Sequence, residues 1–350
     1  MPRGYHCRKS NVTEYVVISF GRAARIRIRR ISVGLATSLA LSACGASPHA
    51  LVPEKIDAVP SSSIAAPLTA SGCALQQCWA VGTTTVQGVT STLVEQRSAD
   101  GQWTSVSAPT VNGEFNATAC GDTGCFFGGS SDGHDLLWST SNDTGAVSPV
   151  TIADGVGIAA LACTPTLCLA VDRTATGEVR LVNVADGTAN TVTGLTNGDT
   201  VTSLSCATAT QCWVAYTNAA GSAALVTTTD GSTWTPLSLP AWVSITSLSC
   251  ASACLALVSD GQADYLAREK SASWDTVRMP FAATAMSCPS TGHCAVVGHH
   301  RDESGAAVLW QSGHLQPIIL HYAPTPLTAV GCSATDCAAV GSTTLVSLRP

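Results

Sequence analysis

Fourteen cysteines fall into seven close pairs along this chain: Cys73/Cys78, Cys120/Cys125, Cys163/Cys168, Cys206/Cys212, Cys250/Cys254, Cys288/Cys294 and Cys332/Cys337. Successive first members lie 47, 43, 43, 44, 38 and 44 residues apart. A period in the low forties fits propeller blades or armadillo-type helical repeats. Local texture decides between them. Runs such as Val201–Cys206, Ile245–Cys250, Cys78–Gly82 and Cys294–Gly298 are short, rich in Thr, Val and Ala, and bounded by Gly, Asn, Asp and Ser. That is strand and turn chemistry, and no unit offers ten residues of helical periodicity. The predicted fold is all-β: a seven-bladed β-propeller of four-stranded antiparallel blades over residues 72–350.

Within a unit, strand A ends at the first cysteine and strand B begins at the second. Strand C is a run such as Ala223–Thr229, and strand D a run such as Thr233–Leu239. The seventh unit supplies A, B and a C-like run, Thr343–Leu348. Its outer strand is expected from the N-terminal side, from Ala50–Val59 or Ser63–Ala70, which would leave no open sheet edge.

Three to five residues between partners place each cysteine pair across an A–B turn, within reach of a disulfide. A bridge closing so small a loop contributes about 2 kcal/mol. Zinc would need pairs that converge as four ligands, whereas these stand on separate blades. Redox chemistry would favour a Cys-x-x-Cys motif at a helix N-terminus, which is missing. No metal and no cofactor is expected.

The two remaining cysteines are Cys7 and Cys44. Ahead of Cys44, Arg22, Arg25, Arg27, Arg29 and Arg30 precede an apolar stretch, Ile31–Ala43. A positive segment, a short apolar core and small terminal residues describe a secretory signal, and 13 residues fall short of the roughly 20 that span a bilayer. Leu41-Ser42-Ala43-Cys44 resembles the lipobox of bacterial lipoproteins. The resemblance implies a signal peptide over 1–43 and acylation of Cys44, with fatty acyl chains such as palmitate as the membrane anchor. Ordinary cleavage nearby is the alternative. Residues 44–71, rich in Ala, Ser and Pro, read as a tether. The expected location is therefore the extracytoplasmic side of the cell membrane, or the exterior after secretion.

Charge narrows the partners. Residues 1–43 carry eight Lys/Arg and one Glu, leaving nine basic against 22 acidic residues, a net of −13, in the remainder. Such a body would be repelled by nucleic acid and anionic lipid.

The turn Asp230-Gly231-Ser232-Thr233-Trp234, with looser echoes at Asp100–Trp103 and Ser271–Trp274, resembles the Asp-box of bacterial neuraminidase repeats, one residue shorter than that pattern. Together with the paired cysteines and the Ala-Val-Gly strand, it looks like a family of exported bacterial propellers described as sialidase-like or photosystem II assembly factor-like. The resemblance covers residues 72–350 and implies fold far more than activity.

In a four-stranded meander the A–B and C–D turns share one rim, and the B–C and D–A loops share the other. The cysteines are expected to crowd the first. The second is free to vary, and in sialidase-like propellers it carries the ligand site. Candidates there are His134 and Asp135 (with Asp132 close by), Arg173, Trp242, and the polar run His299, His300, Arg301, Asp302 and Glu303. Trp79, Trp213, Trp103, Trp234 and Trp274 recur at equivalent blade positions and are expected between blades instead.

A sialidase would need an arginine cluster, a Tyr–Glu nucleophile pair and an acid. Only Arg173 and Arg301 map to the candidate rim, and nothing forces Tyr216 and Glu303 together. Other catalytic motifs are missing as well: no phosphate loop and no His-Glu-x-x-His. Three functional readings stand: a non-catalytic module binding a protein or glycan, an assembly factor for a membrane complex, and an exported glycan-acting hydrolase. The first leads, with the chain expected to act as a monomer.

Overall fold

The computed structural model describes residues 67–348 apart from 75–76, 87, 99–100, 107–111, 123, 142–144, 153–154, 251–252, 272, 291, 312, 319, 321–322 and 343. The segments read as signal and tether, including Cys44 and Ala50–Val59, lie outside these residues except for 67–71. Every described regular element is a strand. Among the described residues no helix is long and apolar enough to cross a membrane.

Seven antiparallel sheets follow one another along the chain, six of them four-stranded in simple A-B-C-D order. Blade 4 is typical: strand A is Thr200–Cys206, B is Cys212–Thr217, C is Ala223–Thr228 and D is Trp234–Pro236. Strand D is shorter than the sequence implied. The turn before it is built on Asp230, whose Oδ1 accepts the Ser232 and Thr233 amides at 2.8 and 2.6 Å while Gly231 sits at φ +77°.

All seven cysteine pairs are disulfides that close A–B turns, with Cα atoms 4.0–4.1 Å apart. In blades 1 to 5 and 7 the two half-cystines stand directly opposite each other in the ladder. The sulfur bridge and the last strand pair therefore enforce the same register.

The cysteines all stand at the A–B turns, but the two members of a pair are not equally buried. The second half-cystine of every pair is buried at the start of strand B, with its sulfur in an apolar layer between blades. Cys125 packs between blades 1 and 2, Cys168 between 2 and 3, and Cys212 between 3 and 4. Cys254, Cys294 and Cys337 continue the series at the next three junctions, and Cys78 lies where blade 1 meets blade 7. The cause is strand alternation: the second half-cystine of each B strand faces the preceding blade, not the solvent. Only first half-cystines, Cys73, Cys120, Cys163, Cys288 and Cys332, border the recess on that rim.

Strand A carries a pattern that the cysteines overshadow in the sequence. One and three residues before the first cysteine, every unit has Gly, Ala or Ser: Gly72 and Ala70 in blade 1, Ser205 and Ser203 in blade 4, Gly331 and Ala329 in blade 7. Neighbouring A strands pack on one another around the ring, and larger side chains there would hold them apart. Four residues before the cysteine, the A–B register slips by one residue in all seven blades. Such a bulge bends the strand. Five units place Thr at the bulge. Three of those hydroxyls donate across the junction to the next blade: Thr69 to the Phe115 carbonyl, Thr284 to that of Leu327 at 2.6 Å, and Thr328 to that of Leu68 at 3.2 Å.

Apolar layers fill the spaces between blades. Blades 3 and 4 share Leu169, Val171, Leu181, Leu204, Val214, Val226 and Trp234. Trp79 packs with Phe127 between blades 1 and 2, and Trp213 and Trp274 lie between blades 4 and 5. Trp103 packs at the junction of blades 7 and 1. The recurring tryptophans thus take the packing role their periodicity predicts. Each fully buried aliphatic side chain contributes about 1.5–3 kcal/mol.

The ring closes where blade 7 meets blade 1. Leu68, Ala80, Val340 and Leu345 form one buried cluster. Ser71 Oγ donates to the Ala338 carbonyl at 3.0 Å, and Arg97 pairs with Asp336 at 3.4 Å. Blade 7 has three strands among the described residues: Leu327–Cys332, Cys337–Gly341 and Leu345–Leu348. Of the two segments expected to complete it, Ala50–Val59 lies outside those residues. The described end of the other, Leu68–Ala70, belongs instead to strand A of blade 1, Leu68–Ala74. Leu68 is the apolar residue five before a cysteine, as Phe115, Ile158 and Leu327 are in their own units. The propeller therefore begins ahead of position 72.

Candidate functional site

On the rim opposite the disulfides, a recess of about 810 Å³ opens between blades 5 and 6. Three segments line it: the B–C turn of blade 5 around Gly261–Asp264, the connector Arg278–Ala282, and the B–C turn of blade 6 with His299, His300, Arg301 and Asp302. The short connector behind it has a sequence signature. The 38-residue spacing from Cys250 to Cys288 is the shortest in the repeat. It leaves only three residues, 279–281, between strand D of blade 5 (Ser273–Arg278) and strand A of blade 6 (Ala282–Ser290).

Four of the rim candidates therefore meet in one place. Phe281 and His300 stand edge to face, ring centroids 6.0 Å apart. His299 Nδ1 lies 3.5 Å from Glu303 Oε2 and 3.0 Å from the His300 carbonyl. Asp302 Oδ1 accepts the Ser304 hydroxyl and amide at 2.6 and 3.1 Å, which holds its carboxyl below the usual range. Asp264 Oδ2 accepts the Ala283 amide at 2.8 Å.

The loop of blade 6 carries local strain. Its turn is the one used in blades 3 and 4: the His300 amide bonds to the Ser304 carbonyl and the Glu303 amide to the His300 carbonyl, as Thr174/Glu178 and Asn218/Ser222 do with Gly177 and Gly221. The residue before the turn's last is left-handed in all three, φ +88° at Gly177, +79° at Gly221 and +62° at Glu303. A non-glycine residue there costs about 1 kcal/mol, and such strain clusters at functional sites. Glu303→Gly should stabilise the fold by about 0.5–1 kcal/mol in urea unfolding. A destabilised Gly variant would show that Glu303 is structurally required.

The remaining candidates lie elsewhere. Arg173 is spent on the backbone: its guanidinium donates to the carbonyls of Gly177 (2.8 Å), Asn197 (3.4 Å) and Asp199 (2.5 Å). It fastens the loops of blades 3 and 4. Trp242 is 7% exposed and packs edge to face on Trp274 at 5.2 Å, so its ring belongs to the blade 4–5 layer, at the edge of a recess of 440 Å³. His134 is exposed at the start of strand C in blade 2. Tyr216 and Glu303 stand on blades 4 and 6, with blade 5 between them.

Asp135 faces the junction of blades 2 and 3, where Asp172 is wholly buried and bound by Arg180 through Nε–Oδ1 (3.0 Å) and Nη2–Oδ2. Asp135 Oδ1 accepts the Gly157 amide at 2.7 Å, while its Oδ2 is sealed from solvent and accepts from no protein donor. Burial first, then the Asp172 charge and a hydrogen bond shared with that carboxylate, push the Asp135 carboxyl up to about 7. The Gly157 amide and Arg180 oppose that rise. This carboxyl is a structural clasp.

Sequence reasoning missed Arg278 and Phe281, for which the short spacing was the available signal. A second recess, of 540 Å³, lies on the disulfide rim, where the first half-cystines are joined by Asp122, Pro165 and Pro289. Among the described residues no three His, Cys, Asp or Glu side chains are grouped so as to hold a metal.

No family model and no curated protein matches this chain. Solved structures do. YCF48 bound to a D1 peptide superposes with TM-score 0.58 at 12% identity, over 84% of this chain and 96% of that one. The WD40 propeller domain of Doa1 gives 0.60 at 13%, over 81% and 92%. Streptogramin B lyase gives 0.60 at 11%, over 84% and 96%. At such identities the likeness is one of fold, and the chain is a β-propeller.

Proposed function

We propose that this protein is a non-catalytic binding module, held on the extracytoplasmic side of the membrane through Cys44, whose rim opposite the disulfides receives a polypeptide. The observation that carries this reading is the blade 5–6 recess, where histidine, arginine and aromatic side chains gather around a loop that accepts a left-handed glutamate. Pockets of this size and mixed lining suit ligands. That YCF48 binds a peptide, on a shared fold, supports the reading by analogy. An assembly role in a membrane complex would use the same rim.

A photo-reactive amino acid at position 262, which also lines the recess, should yield a discrete polypeptide adduct in the exporting cell. The same residue at position 335, on the disulfide rim, should not. Equal adducts from both positions, or turnover of a glycoside panel by the purified protein, would contradict the reading.

A further inference from the structure

The arginines sort by what they touch. Six fall among the described residues: Arg97, Arg173, Arg180, Arg268, Arg278 and Arg301. Arg97 is buried against Asp336, Arg173 is bound to three carbonyls, and Arg180 is bound to Asp172. Those three hold blades and loops together. Arg268 is exposed on strand C of blade 5. Arg278 and Arg301 remain, from different blades, and both line the one recess. Arg278 is held in the sheet opposite Tyr265 by its backbone, but neither guanidinium has a hydrogen bond or ion pair to a protein group among the described residues.

The acids of that recess do not fill the gap. Asp264 and Asp302 each spend an oxygen on local donors. Asp260, beside the recess, accepts the Gln262 and Ala263 amides at 2.8 Å each and the Tyr265 hydroxyl at 2.9 Å. Two planar, five-donor guanidiniums line a cavity whose own carboxylates, Asp264 and Asp302, each already have one oxygen engaged. Guanidinium pairs with carboxylate through two parallel hydrogen bonds. Beside them, the Phe281 and His300 rings offer an apolar edge.

We propose that Arg278 and Arg301 form a carboxylate-binding subsite in the blade 5–6 recess, taking an acidic side chain or the terminal carboxylate of a bound polypeptide while Phe281 and His300 hold an adjoining apolar side chain. This rests on the polypeptide-binding reading above. The body of the protein is acidic, so selection of an acidic partner must come from this local pair and not from long-range attraction.

The test is selection from a randomised peptide display library on the full chain, followed by binding of individual fluorescent peptides. Enriched sequences should share an Asp or Glu, or a free C-terminus, next to an apolar residue. Glutamine exchange and C-terminal amidation, made separately, tell which carboxylate is read. Removing it should weaken binding at least about tenfold. Arg278→Gln and Arg301→Gln should each erase most of that difference, with unchanged unfolding midpoints, whereas Arg268→Gln should leave it intact. Enriched peptides that lack an acid but still compete at this rim would overturn the subsite and leave the polypeptide reading standing. A library that enriches nothing would overturn both.

Discussion

Replacing Arg180 with methionine should cost the fold about 3–5 kcal/mol at neutral pH, because it strands the buried Asp172 carboxylate beside a second acid. Asp172 has no solvent-exposed side-chain surface, and Arg180 supplies both of its charged donors. Removing the acid together with the cation, as Arg180→Met with Asp172→Leu, should recover most of the loss, since a well-packed apolar pair can equal a buried ion pair. Urea unfolding of the parent and the two variants checks this. A single variant that costs less than about 1 kcal/mol, the worth of a surface pair, would show that the pair is solvated.

The same junction sets a pH dependence. Asp135 holds a carboxyl raised to about 7 in the fold, against roughly 4 in the unfolded chain. The folded state therefore keeps a proton that the unfolded state releases. Its contribution is complete below about pH 4 and is lost as pH rises through about 7. Because Asp135 retains contact with solvent, a swing of about 1–2 kcal/mol is expected rather than the unscreened figure. Asp135→Asn, neutral at every pH, should flatten it.

The second large effect lies at ring closure. A Cβ on Gly331 would stand 2.4 Å from both Gly72 Cα and Ser71 O, backbone atoms that cannot turn aside. Gly331→Val must push strand A of blade 7 away from strand A of blade 1. The hydrogen bonds of Thr328 and Ser71 and the Arg97–Asp336 pair cross that line. Overpacking with the loss of such bonds should cost about 3 kcal/mol or more. Gly292→Ala, with open space around it, should be close to neutral in the same melt. Equal effects would mean that the junction is loose.

How much of this the sequence made legible depends on repetition. Seven cysteine pairs at a near-constant period, with Thr/Val strands around them, are enough for the propeller and its disulfide pairing, because each unit votes for the same local geometry. The unequal burial of the two half-cystines, the small residues before each first cysteine and the bulged threonines were equally periodic. Their meaning appears only once neighbouring blades are seen side by side. The rim was harder. His299 to Asp302 stood out as a polar run and do line the recess. Arg173 and Asp135 have the same residue types in the same kind of loop, yet their partners are near and distant carbonyls, an amide and another carboxyl. Sequence alone does not specify such partners. Arg278 was hidden because a shortened connector, not a motif, carries it to the rim.

Hydrogen exchange on the protein with and without the polypeptide captured through position 262 tests the binding rim most directly. Slowed exchange should fall on 260–264, 278–282 and 299–305, with the turns at 164–167 and 333–336 unchanged. Protection confined to those disulfide-rim turns would contradict the account.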